Sequence, residues 1–492
     1  MRGRILLIGA VAAALMGSLL VYSQTLAFVW DEGFHLLAAQ LILRGKRPYL
    51  DFCFPQTPLN AYWNAAWMRI LGQSWRAAHA VAAATTAGAV WLSADYLYRR
   101  FPDPAWRLPA ALAGALLIGL NCIVLEFGTI AQAYALCLLL TVAAFRAAVL
   151  AVELPGPAMT ATAGSLAACA VASSLLTASE APVLLAWILL RSRPGQRLSR
   201  FATFAAGAAV PFLPLAWLYV KGPRQTLFNL VEYQLRYRRT NWEDATPHDI
   251  EVLTSWLTSP HALILVILAV AGLVFVARSS GWKSSVRSEW FLPAWLALAI
   301  GVELCATHPT FRNYWVLIVP FCALPAAAGF YAIASRVYPA TAPSWSVAAL
   351  ALLLSVGLAK SVYDSRGSMR WKDLESIARK VQEVTPASGK VWADEAIYFL
   401  TRRPPIEGTE FSYTEVIEIS PEMESLLHVA TEEELDRGAA AGAFATVSLC
   451  DDAEVIEELD LAHLYRHSAK IRGCSVFWEP AKSGPSPTGP RE

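Results

Sequence analysis

Two adjacent carboxylates, Asp31 and Glu32, follow the first apolar stretch of the chain. They open a polar, aromatic segment running from about Gln24 to Ala77. Acidic residues are scarce within the other apolar stretches. Asp51, Glu126, Glu180, Glu232, Glu243, Asp244 and Glu303 fall at their ends or between them. Carboxylates at a boundary suit chemistry between a lipid-borne substrate and a water-borne one, whereas ion-coupled carriers keep ionisable groups near the membrane midplane. A hydroxyl of high pKa attacks well only if a base takes its proton during the attack. Asp31, flanked by Trp30 and Phe34, is the candidate base. A departing lipid phosphate needs cations, and Arg236, Arg238, Arg239 and Arg312, with His308, supply them. Guanidinium groups grip phosphate through paired hydrogen bonds. Plainer readings stand beside these. The acidic pair suits the N-terminus of a helix that follows it, and the arginines suit headgroup binding or snorkelling.

The elements that must position these groups follow from composition. Of the 492 residues 56% are hydrophobic and only 16% charged, against about 25% charged in an average soluble domain. Most of the chain therefore belongs in lipid, and the net charge of +1 gives no field for nucleic acid. Stretches approaching the roughly 20 apolar residues of a spanning helix lie near 4–22, 77–97, 107–124, 130–150, 160–178, 181–191, 201–220, 260–277, 289–306, 313–334 and 342–360. The first is read as an uncleaved span rather than a signal peptide, because cleavage would fall just before the acidic loop. With the N-terminus inside, every short inner loop carries Arg or Lys, as the positive-inside rule asks. The outer side then receives the loop 24–77, the turn at Glu126, the loop 221–260 with Tyr237 and its arginines, and the turn His308–Tyr314. In the first outer loop, the segments 33–43 and 58–71 are expected as helices lying in the interface.

Beyond Lys360 the composition becomes that of a soluble domain, about 362–480. Residues 373–384 read as an amphipathic helix, and 390–393, 445–450 and 473–478 as short strands, which suggests a small α/β unit. The tail 481–492, rich in Pro, Gly and Ser, reads as disordered. Cys450 and Cys474 are either a disulfide or two free thiols. Five of the other cysteines lie in apolar stretches as small core residues.

Asp31-Glu32, then Pro48-Tyr49-Leu50-Asp51-Phe52, then Pro58-Leu59-Asn60-Ala61-Tyr62-Trp63 resembles, in that order, the first outer loop of the GT-C glycosyltransferases. More narrowly it is similar to bacterial relatives of the protein O-mannosyltransferases and of the lipid A aminoarabinose transferases. The resemblance covers about residues 1–335. It implies an inverting transferase using a polyprenyl-phosphate-linked sugar, with Asp31 as base beside Glu32 and Glu126 at the second acidic position. Arg236, Arg239 and Arg312 would hold the donor phosphate. From their own types, His308 is a further candidate for the phosphate and Tyr49, Gln56 and Tyr237 for the substrate, with interface anchoring the other use of the tyrosines. No cofactor is implied with certainty. A divalent metal ion on Asp31 and Glu126 stays open, and no His or Cys cluster demands one. One departure is plain. Many relatives have Lys-Pro-Pro-Leu where this chain has Gln56-Thr57-Pro58-Leu59, so the lysine's contact with phosphate is vacant or passes to Arg47 or to later arginines.

The expectation is an all-α polytopic membrane protein of about 11 transmembrane helices, GT-C in type, with a small C-terminal α/β extracytoplasmic domain. Residues 1–361 would form the transferase, with 24–77 as its catalytic loop. It would sit in the plasma (inner) membrane with a cytoplasmic N-terminus. It would pass a hexosyl or pentosyl group to a lipid, polysaccharide or protein acceptor. The competing reading is a transporter or flippase for a lipid-linked sugar. The long aromatic first loop and the lack of midplane charge favour the enzyme.

Overall fold

In lipid the backbone of an apolar stretch has only itself to bond with, so it coils. A helix lies in each of the eleven stretches of the computed structural model, which describes residues 2–240, 242, 244–337, 343–450 and 453–481. Glu243 and nearly all of the tail expected to be disordered lie outside the described residues. Among those described, six helical runs are long and apolar enough to cross a membrane, and others, such as Arg107–Gly119, Ala158–Ser173 and Leu292–Ala306, are shorter. The chain is built as a multi-pass membrane protein.

The parts that carry the acidic loop come first in the chain. They are α1 (Arg2–Thr25), α2 (Glu32–Leu43), α3 (Leu59–Leu71), α4 (Trp75–Arg100), α5 (Arg107–Gly119), α6 (Cys122–Phe127) and α7 (Tyr134–Glu153). Helix α4 packs against α1, α5 and α7. Farther along, the helices Pro260–Ser280 and Val319–Val337 form the most extensive helix pair. A side chain at Gly272 would meet the Pro325 carbonyl, and one at Gly329 would meet that of Leu268. Small residues allow this backbone-to-backbone approach, which is how helices gain packing energy where lipid supplies no hydrophobic drive.

Helix α2 departs from the interfacial expectation. Glu32 to Leu41 are all buried, because α2 lies between the membrane part and the C-terminal domain. It packs on α3 and on the helix Glu395–Thr401. An added Cβ on Gly33 would press on the backbone nitrogen of Ala396. A helix apolar all round is a buried helix, not a surface one.

Residues 371–480 carry helices on a four-stranded sheet of order β1-β2-β4-β3, with β1 (Val391–Ala393), β2 (Thr446–Cys450), β3 (Tyr465–Ile471) and β4 (Cys474–Pro480). β1 and β2 are parallel, with Trp392 opposite Val447, and the other pairings are antiparallel. Cys450 and Cys474 face each other across β2 and β4 and form a disulfide. The edge strand β3, mostly exposed and polar, had no hydrophobic alternation to announce it.

Gly329→Leu should cost about 1–3 kcal/mol of stability, the usual range for overpacking. Thermal unfolding of the purified protein in detergent reads it as a lowered midpoint, with Gly301→Leu, where a Cβ meets open space, as the control.

Candidate active site

The two neighbouring carboxylates have different surroundings. Glu32, the first residue of α2, is fully buried. Its Oε1 and Oε2 lie 2.7 and 2.9 Å from His79 Nε2 of α4. Oε1 also accepts from the Ala131 backbone N–H at 2.6 Å, and Oε2 from the Trp371 indole at 2.9 Å. On its other side, His79 Nδ1 meets the Ser23 carbonyl. Glu32 thus joins α1, α4, the turn before α7 and the C-terminal domain, and it lines neither of the chambers described next.

Asp31 is half-buried and turned into open space. Two chambers meet at it. The first, of about 280 Å³, includes Gln56, Thr57, Gln132, Glu303 and His308. The second, of about 610 Å³, is more aromatic and includes Glu126, Phe127, Phe311, Arg312 and Phe411. Asp31, Phe34, Gln56, Gln234, Arg238 and Tyr314 line both. Tyr413 of the C-terminal domain donates its hydroxyl to Asp31 Oδ1 at 2.7 Å. Burial raises the Asp31 pKa, while the Tyr413 bond and the Arg238 charge pull it down. Burial prevails, so this carboxyl holds a proton more readily than an exposed aspartate.

The cations take distinct places. Arg238 is held by its Nη2, which donates to the Pro309 carbonyl and the Tyr314 hydroxyl, both at 2.7 Å. Its other guanidinium nitrogens have no hydrogen-bond partner among the described residues. Arg312 pairs with Glu126 at the far end of the second chamber. Burial raises the Glu126 pKa against the pull of Arg312. Arg239 and His308 line the first chamber, and His308 Nδ1 contacts Asp249. Arg236 is exposed and lines neither chamber. Arg47 forms a two-bond pair with Asp51, at 2.8 and 2.7 Å, away from both. Tyr49 is wholly buried at a positive φ of 70° and donates to the Gln56 carbonyl, so its ring supports the loop from behind. Tyr237 packs on Phe228 outside the chambers.

The donor set does not fit a divalent ion on Asp31 and Glu126. One Asp31 oxygen is taken by Tyr413 and Glu126 is matched by Arg312. Among the described residues no three His, Cys, Asp or Glu side chains converge.

Sequence reasoning placed Arg238 among the cations but not as the one shared by both chambers, since the phase of a short 3-10 turn, Tyr237–Arg239, has no sequence signature. It missed Tyr413 and Phe411, 380 or so residues from Asp31 along the chain. Gln132 carried a signal, a lone amide inside an apolar stretch, that went unused.

No family model matches the chain, and no curated protein matches it. Solved structures do. ArnT from Cupriavidus metallidurans in the apo state superposes with a TM-score of 0.69 at 16% identity, over 97% of this chain and 98% of that one. The same protein bound to undecaprenyl phosphate gives 0.69 at 16% identity, over 99% of each. The archaeal oligosaccharyltransferase AglB from Archaeoglobus fulgidus, in complex with an inhibitory peptide and a dolichol-phosphate, gives 0.52 at 15%, over 96% of this chain and 74% of that one. The chain shares the fold of these GT-C membrane glycosyltransferases.

The adjacent carboxylates should separate on substitution. Glu32→Gln leaves buried donors facing an amide and should cost about 3–5 kcal/mol, as broken buried pairs do. Asp31→Asn should stay within about 0.5 kcal/mol, as substitutions that break no buried network do. Paired thermal melts decide it.

Proposed function

We propose that the protein is an integral-membrane glycosyltransferase. It moves a sugar from a polyprenyl-phosphate donor to an acceptor hydroxyl at the outer face of the membrane, inverting the anomeric carbon. The observation that carries this reading is the meeting of two chambers at one half-buried carboxylate, Asp31, with Arg238 lining both. The undecaprenyl phosphate bound to ArnT and the dolichol-phosphate bound to AglB support a lipid phosphate as the donor's anchor.

In this reading the donor phosphate lies against the open edge of Arg238. Arg312, across the second chamber, adds positive charge at the end where Glu126 partly offsets it. Arg239 and His308 line the first chamber and add positive charge there. The acceptor hydroxyl approaches Asp31, which takes its proton. The acceptor oxygen bonds to the anomeric carbon from the face opposite the phosphate, and the bond from that carbon to the phosphate oxygen breaks. The lipid phosphate departs with the electron pair, and the guanidinium groups stabilise the charge that grows there. Tyr413 is a positioning residue. It fixes the Asp31 carboxylate and lowers its proton affinity against the rise caused by burial. Eleven crossings, a cytoplasmic N-terminus and an outer C-terminal domain complete the arrangement, since Tyr413 must share a side with Asp31.

Two outcomes are expected in a transfer assay with polyprenyl-phosphate sugars and a permissive acceptor. Asp31→Asn abolishes transfer while the protein stays folded, and Arg238→Ala raises the donor KM by about tenfold or more, the worth of a lost charge-assisted bond, whereas Arg236→Ala leaves it unchanged. Full activity in the Asp31 variant would sink the assignment of the base.

The pH profile gives a separate check. The base works ionised, so the rate climbs as pH rises through the Asp31 pKa. Tyr413→Phe removes a bond that lowers this pKa. The acid limb should therefore move to higher pH, by about one unit for a bond of ordinary strength. The alkaline plateau should be largely retained, and an unmoved limb would leave Tyr413 with a packing role alone.

A further inference from the structure

The first chamber has an unmet need. Gln132 is only 3% exposed, yet among the described residues neither its amide N–H₂ nor its carbonyl oxygen has a partner. The Thr57 hydroxyl in the same wall is equally buried and equally alone. Burying an amide without partners costs roughly 1–3 kcal/mol, and native proteins rarely leave such groups unpaired. Both side chains line the chamber that opens onto Asp31 and Arg238.

The position of Gln132 is also fixed in advance. The neighbouring Ala131 peptide is clamped at both ends. Its N–H goes to Glu32, and its carbonyl accepts from Asn60 at 3.1 Å and Asn64 at 2.7 Å. The backbone next to Gln132 is thus held in place while both halves of its buried amide stay vacant, which favours a ligand that needs little rearrangement to bind.

We infer that this chamber receives the transferred sugar ring, and that it selects a neutral, hydroxyl-rich sugar. The inference rests on the transferase reading above and adds the class of its glycosyl group. A vicinal pair of hydroxyls satisfies both halves of the Gln132 amide at once, because each hydroxyl donates and accepts. An ammonium group can only donate, so it would leave the amide N–H₂ stranded. The one carboxylate here besides Asp31 is Glu303, whose Oε2 already accepts the Ser179 N–H at 2.9 Å. The two acidic groups are balanced by Arg238 and Arg239, so no net negative field draws in a cationic sugar. At about 280 Å³ the space is just below the usual range of ligand pockets, about 300 to 1,000 Å³. It suits one ring rather than an oligosaccharide.

The test compares binding of two lipids to the purified full-length protein, undecaprenyl phosphate and undecaprenyl phosphate carrying a neutral hexose. Gln132→Leu should weaken binding of the hexose-bearing lipid by about tenfold, the cost of a lost buried polar pairing. It should leave undecaprenyl phosphate binding as in wild type. Gln132→Glu, which keeps the acceptor half and loses the donor half, should fall between. Wild type should also bind the hexose-bearing lipid more tightly than one bearing an amino sugar. If Gln132→Leu and Gln132→Glu bind both lipids as wild type does, or if wild type prefers the amino sugar, the assignment of the chamber is overturned while the transferase reading stands. If wild type binds neither lipid, the transferase reading falls and the chamber's assignment falls with it.

Discussion

The arrangement depends on one buried carboxylate. Glu32 sits where apolar helices, a tight turn and a soluble domain meet, and it accepts a hydrogen bond from each of three partners, His79, the Ala131 backbone and Trp371. A lone buried charge would be costly, and this one is offset by a full set of donors. Trp371 in turn stacks on Trp75 with ring centres 5.5 Å apart and meets Phe28 edge-on. The C-terminal domain is thereby seated on α2, with further bonds from Gln40 to the Phe399 carbonyl and from Arg44 to that of Arg402.

The seat has consequences at both chambers. Docking of the domain brings Phe411 and Tyr413 against Phe34, and Tyr413 reaches Asp31. The loop that carries them is tied from within the domain, where the buried Glu395 accepts the Ser412 N–H at 2.8 Å. At the other side, the same Glu32 holds the Ala131 backbone, directly before Gln132 in the chain. One residue with no opening to either chamber thus ties down backbone beside both. Asp31, one position earlier, is left half-open because α2 begins only after it.

Charge in the chambers is balanced rather than accumulated. Arg312 is matched by Glu126, and His308 by Asp249. Arg238 is held by neutral acceptors, the Pro309 carbonyl and the Tyr314 hydroxyl, and has no carboxylate ion pair among the described residues. A guanidinium kept in place by a carbonyl and a phenol is freer to meet an incoming anion than one locked in a carboxylate pair. What separates Arg238 from Arg236 and Arg239 beside it in the sequence is its place, since it alone of the three lines both chambers.

By itself the sequence determined a great deal. Continuous apolar runs must coil in lipid, so the helices of the membrane part were readable from composition alone, as was the shift to a more polar composition after Lys360. The acidic pair and the motifs after it pointed to the GT-C fold. What no local pattern held was the division of labour within that pair. Asp31 and Glu32 are chemically alike and adjacent, and only the direction of each side chain at the start of α2 decides that one is a buried tie and the other faces the chambers. The same holds for Arg238 among its neighbours and for Tyr413, some 380 residues from the carboxylate it bonds. Helix formation depends on residues three or four apart and leaves its mark in the sequence. A site assembled from a loop, two turns and a separate domain depends on how those parts dock, and only the tertiary structure settles that.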